Sequence, residues 1–136
     1  MADSGLIKKL KFKLGQKAAV FNPPAGYLNG LGPLPAGAQP VTRPNEPLDF
    51  VHLFVKDKDE LDQLTPQAIR LLKDDAIFWI SYPKGSAKVK TDLNRDILWK
   101  LMERHGYEGV AMISIDETWS AMRFRPKDKV GKIRID

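Results

Sequence analysis

The stretch LKDDAIFWISYPKGSAKVKTDLNRDILWKLMERHG, from Leu72 to Gly106, reads as a strand, a basic loop and a helix in succession. Ala76 to Tyr82 is a continuous apolar run rich in β-formers that stops at Pro83, the pattern of a strand covered on both faces. From Leu93 onward, Leu93, Ile97, Leu98, Leu101 and Met102 recur at helical spacing. Thr91 or Asp92 is placed to cap that helix, and Gly106 is placed to end it. A buried strand that feeds a helix through a short loop is the unit of α/β layer folds.

The flanking sequence repeats the unit. DFVHLFV, from Asp49 to Val55, is a second apolar run and is expected at the centre of the sheet. Between the two runs, Asp57 with Glu60 three residues later marks a helix start, and Thr65 with Pro66 marks another. The expectation is a broken helix over 57–73, with Leu61, Leu64, Ala68, Ile69 and Leu72 inward and a turn at Asp74 and Asp75. Upstream, KAAVFN (17–22) is a short strand stopped by Pro23 and Pro24. Downstream, two strands at about 108–115 and 119–125, joined by a turn at Asp116 and Glu117, form an antiparallel hairpin. The order predicts one three-layer Rossmann-like α/β domain over residues 1–136, with a mostly parallel sheet of about five strands, an antiparallel edge and a C-terminal hairpin.

At 136 residues and 43% hydrophobic content the chain suits a single core. Residues 22–47 hold seven of the ten prolines and four of the ten glycines, so only a helical turn near Gly26 to Leu31 and a brief extended piece near Val41 are expected there. The net charge of +5 gathers at a basic segment over 1–15 and a basic tail over 126–136; counted over 1–17 and 123–136 the two ends carry +4 each and leave −3, a mildly acidic body, between them. Basic ends of this kind solubilise, and they argue against a nucleic-acid footprint. The chain has no cysteine, which excludes disulfides, thiolate zinc sites and a cysteine nucleophile. No stretch is apolar enough for a signal peptide or a membrane span, and the expected compartment is the cytoplasm.

The loop after Tyr82 carries Lys84, Gly85, Ser86, Lys88 and Lys90 just before a helix N-terminus, at the sheet edge where ligands bind in open α/β folds. Its K-G-S order lacks the glycine spacing of a nucleotide-hydrolysing loop. It is either a solvated loop ending in a cap or a pocket for a small anion, with Lys84, Ser86, Thr91 and Asp92 as its residues. NPPAGY, at the end of the first strand, offers Asn22, Gly26 and Tyr27 to the same crevice, or forms a rigid turn with Tyr27 on the core. Asp116, Glu117 and Trp119 stand at the hairpin turn, as a cleft wall or as two solvated carboxylates beside a tryptophan packed over a helix. His52 lies inside an apolar strand as a core histidine, and His105 ends a helix. No metal site is expected, because no His-x-x-x-His pair or calcium-loop spacing occurs.

The run LKDDAIFWISYPKGS resembles the "LKPGGxLWVSxPK" strand entry of class I methyltransferase-like proteins, and the last two strands resemble the hairpin that ends that fold. Only Gly26 stands where such enzymes carry a glycine-rich loop, and Asn22 to Asp49 is too short for two full strand-helix units. The resemblance therefore implies a domain trimmed of its adenosine-binding half. NPPAGYLNGLGPLPAG, DFVHLFV, WISYPKGS with TDL, and DETWSAMRF together resemble, in register, a bacterial family of small proteins defined as a domain of unknown function. That resemblance implies fold and no particular activity. It departs in having GSAKVK where members carry a serine-rich loop, which weakens any specific role for Ser86. The expected function is a non-enzymatic or vestigial methyltransferase-like domain that binds a small ligand, such as a small anion, or a protein partner at the carboxyl edge of its sheet, with no cofactor. The alternatives are a small enzyme, a reduced methyltransferase relative using the crevice between NPPAGY and YPKGS, and a weak nucleic-acid binder acting through the basic ends.

Overall fold

A computed structural model describes residues 17–22, 39–40, 48–84 and 91–127. In chain order the elements are β1 (Lys17–Phe21), β2 (Gln39–Pro40), β3 (Leu48–Phe54), α1 (Lys58–Leu71), β4 (Leu72–Pro83), α2 (Arg95–Glu103), β5 (Tyr107–Ser114) and β6 (Trp119–Pro126). They form one six-stranded sheet in the order β2-β1-β3-β4-β6-β5. β2, β1, β3 and β4 pair parallel, whereas β6 runs antiparallel to both of its neighbours. The sheet is thus mixed, and the reversed strand lies one position in from the edge. Folding the hairpin back inserts β6 between β4 and β5. The sixth strand beyond the expected five is β2, two residues of the proline-rich window.

β3 is central, as its apolar run requires, and alternation splits its side chains between two buried faces. Val51, Leu53 and Val55 share one cluster with Phe78, Ile80 and Tyr82 of β4 and Met122 and Phe124 of β6. Leu61 and Ala68 of α1, and Leu98 and Met102 of α2, belong to that same cluster, so both described helices cover one face. Each large apolar side chain buried this way contributes about 1.5–3 kcal/mol. The other face carries Phe50, His52, Phe54, Ile77, Trp79 and Ser81, all buried.

Three local expectations change. α1 runs unbroken through Pro66, because one missing intrahelical donor is tolerated where Leu61, Thr65 and Ala68 are all buried. β4 begins at once after α1 instead of following a turn at Asp74 and Asp75, and its pairing with β3 shifts register between Leu48 and Phe50. The cap of α2 is Asn94, whose side chain accepts from the Ile97 N–H at 2.9 Å, and not Thr91 or Asp92. Gly106 does end α2: it adopts φ 81, and its N–H reaches the Glu103 carbonyl at 3.0 Å. No described helix is long and apolar enough to cross a membrane.

Candidate functional site

The strand order reverses between β1 and β3, because the chain leaves β1 to one side for β2 and returns to the other for β3. In open α/β sheets the crevice at the carboxyl ends of two such strands is the expected ligand position. Asn22 stands there, directly after β1, with φ 57. Asparagine is among the few residues that tolerate this left-handed backbone. Its side-chain amide donates to the Phe54 carbonyl at 3.0 Å and ties the end of β1 to the end of β3.

Behind this seam lies an aromatic column on the face opposite the helices. His52 stacks on Phe54 with ring centroids 4.3 Å apart, and Phe54 meets Trp119 edge to face at 5.1 Å. Trp119 therefore packs on a sheet residue and not over a helix. His52 Nε2 lies 2.5 Å from the Ser81 hydroxyl of β4. Complete burial strips the imidazole of solvation and pushes its pKa down to about 3, so it is neutral at physiological pH.

Lys84 stands at the end of β4, two strands from Asn22, a separation of about 10 Å. Its ammonium donates to the Ser114 hydroxyl at 2.7 Å, and its N–H to the Thr118 carbonyl at 2.8 Å. The structure thus brings Lys84 to the β5–β6 turn. Asp116 shapes that turn: one carboxylate oxygen accepts from the N–H groups of Thr118 at 2.8 Å and Trp119 at 2.9 Å. Glu117 is exposed beside it.

Thr91 and Asp92 also carry internal bonds. The Thr91 hydroxyl accepts from the Leu93 N–H at 3.0 Å. Asp92 reaches across to the start of α1 and accepts from the Lys58 N–H at 2.9 Å. With Asp57 accepting from Glu60 N–H and Glu60 accepting from Lys56 N–H, three carboxylates already occupy the positive end of α1. Gly26, Tyr27 and Ser86 lie outside the described residues.

The chain exposes a second concave surface that the sequence reading passed over. Trp99 of α2 faces the edge strand β5 across a groove of about 290 Å³, lined also by Gly109, Val110, Ala111, Met112 and Met122. Gly109 makes the groove possible: a Cβ there would lie 2.7 Å from the Met122 sulfur and 3.3 Å from the Trp99 ring. The sequence signal was available, since Trp99 falls off the apolar stripe of α2.

No family model matches the chain, and no curated protein matches it. Solved structures do, with methyltransferase-like Rossmann folds. The Methanococcus jannaschii fibrillarin pre-rRNA processing protein superposes with a TM-score of 0.59 at 13% identity, over 84% of this chain and 67% of its own. The Bacillus subtilis tRNA methyltransferase TrmK gives 0.51 at 7% identity, over 99% of this chain and 72% of its own. LepI in complex with S-adenosylmethionine gives 0.51 at 12% identity over 90% of this chain, which spans 39% of LepI. At such identities the likeness establishes the fold.

Proposed function

We propose that this chain is a non-enzymatic, methyltransferase-like domain, of the small bacterial kind its segments resemble, whose carboxyl edge holds a small ligand and does not transform it. One observation carries the reading: the described candidate side chains at that edge, the exposed Glu117 excepted, are bonded within the fold. Asp57, Glu60 and Asp92 serve the start of α1, Asp116 serves its own turn, Lys84 serves Ser114, and His52 is sealed against Ser81. General acid–base work needs a titrating group within reach of a substrate proton, and these groups are spent on holding the scaffold. The switch-point seam between Asn22 and Phe54 remains the place where a ligand meets the ends of two parallel strands.

Two measurements test this. Incubation with labelled S-adenosylmethionine and mixed RNA and protein acceptors is expected to release no S-adenosylhomocysteine above a protein-free control. Release that Asn22→Ala abolishes would overturn the non-enzymatic reading and favour a reduced methyltransferase. A thermal-shift series with S-adenosylmethionine, S-adenosylhomocysteine, nucleotides and inorganic phosphate is expected to give a saturable rise for one of them, worth about 2.7 kcal/mol at a hundredfold excess over Kd. Asn22→Ala should reduce that rise. No response to any probe would sink the small-ligand reading.

A further inference from the structure

Among the described residues the exposed large apolar side chains are Trp99, Val110 and Met112, at 37%, 38% and 47% exposure. All three line the one groove between α2 and β5. β5 ends the sheet, so its outer edge pairs with no described strand. Proteins guard such edges with charges, prolines and short length, because a bare edge templates pairing with another chain. β5 is eight residues long and has no proline and one charge, Glu108. Its register shift between Gly109 and Ala111 leaves Val110 as an unpaired extra residue.

We infer that this face joins two copies of the chain, with β5 of one pairing antiparallel with β5 of the other about a two-fold axis. A two-fold contact brings the same patch from both copies together, so the patch must complement itself. This one does. With the axis near Ala111, Val110 opposes Met112 of the other copy and Met112 opposes Val110. Glu108 then falls opposite Ser114, so the strand's one charge never meets its twin. The rim offered by α2 alternates in sign through Arg95, Asp96, Lys100 and Glu103 and has no net charge. A rim of one sign would repel its own copy, whereas this rim can pair with itself. The same balance gives a polyanion or a strongly charged peptide no field to follow. The product is a continuous twelve-stranded sheet, with the two Trp99 side chains flanking the new seam.

The absence of cysteine makes the test clean. Ala111→Cys places one thiol near the proposed axis, and mild oxidation is expected to yield a disulfide-linked dimer. Glu117→Cys, at the exposed hairpin turn, should stay monomeric under the same treatment. Sedimentation of the unmodified full chain from millimolar to nanomolar should show a species of twice 15.3 kDa that dissociates on dilution. Met112→Lys and Val110→Glu should each weaken that dimer at least tenfold while keeping the wild-type circular dichroism spectrum. If one variant fails to fold, the other and the cysteine pair still decide. A monomer at every concentration, or equal cross-linking at positions 111 and 117, overturns the inference. Dimerisation that appears only after residues 128–136 are removed would instead assign the groove to the chain's own tail. These readouts are independent of ligand binding at the carboxyl edge.

Discussion

The sealed histidine makes the sharpest stability prediction. His52 is completely buried, and its folded pKa of about 3 lies well below the ordinary value of 6.5. Above pH 6.5 both the folded and the unfolded chain hold a neutral imidazole, and His52 contributes no pH dependence. As pH falls through 6.5 the unfolded chain gains a proton that the folded chain refuses, so stability drops. The drop approaches about 1.4 kcal/mol per pH unit and continues until the pH reaches the folded value near 3. Integrated from pH 7 to pH 5, the loss from this one residue is about 2 kcal/mol, a large share of the stability of a small domain. Urea unfolding at half-unit pH steps measures it, with His52→Gln as the reference. The variant loses the stack on Phe54 and is less stable throughout, but its stability should fall less steeply below pH 6.5. The difference between the two profiles isolates His52, because every other titrating group is common to both. Parallel profiles would refute the reasoning, since they would mean that the folded protein protonates His52 as readily as the unfolded chain does. A proton NMR titration in which the His52 C2–H resonance moves with a midpoint near 6.5 would refute it equally.

Further substitutions test other parts of the fold. The Thr65 hydroxyl is buried in α1 without a hydrogen-bond partner among the described residues, so Thr65→Val should stabilise the protein by about 1 kcal/mol in denaturant titrations. Gly106→Ala forces a side chain into a left-handed backbone where nothing else crowds it, and should cost about 1–2 kcal/mol by thermal melting. Asp116→Ala strands two turn N–H groups and should cost about 1–2 kcal/mol in the same assay, with Asp116→Asn recovering part of the loss through its retained carbonyl oxygen.

The parts of the fold that were legible in the sequence are those where burial dictates composition. DFVHLFV and AIFWISY admit no reading other than covered strands, and the stripe from Leu93 to Met102 none other than a helix, so β3, β4 and α2 fall where expected. Capping was less legible, because Thr91, Asp92 and Asn94 all have capping side chains and the choice among them depends on distant partners. Asp92 is drawn away by the first amide of α1, thirty-four residues upstream, and leaves Asn94 to cap α2. Pro66 marked a helix start by local rules, yet burial of Leu61, Thr65 and Ala68 carried α1 through it. The mixed sheet was the largest departure, since the sequence shows a hairpin but not the slot beside β4 into which it folds.

That same slot explains what Lys84 meets. With β6 inserted next to β4, the start of β6 and the β5–β6 turn arrive at the carboxyl end of β4 and supply Ser114 and the Thr118 carbonyl to Lys84. A lysine at the end of an edge strand would face solvent or a ligand. Here it faces the turn. On the other side of β3, the Asn22 side-chain amide donates to the Phe54 carbonyl, and asparagine is one of the residues that accept its left-handed backbone. The Asn22–Phe54 bond thus ties the ends of β1 and β3 together at the switch point, which is why substitution at Asn22 is the proposed probe of that seam.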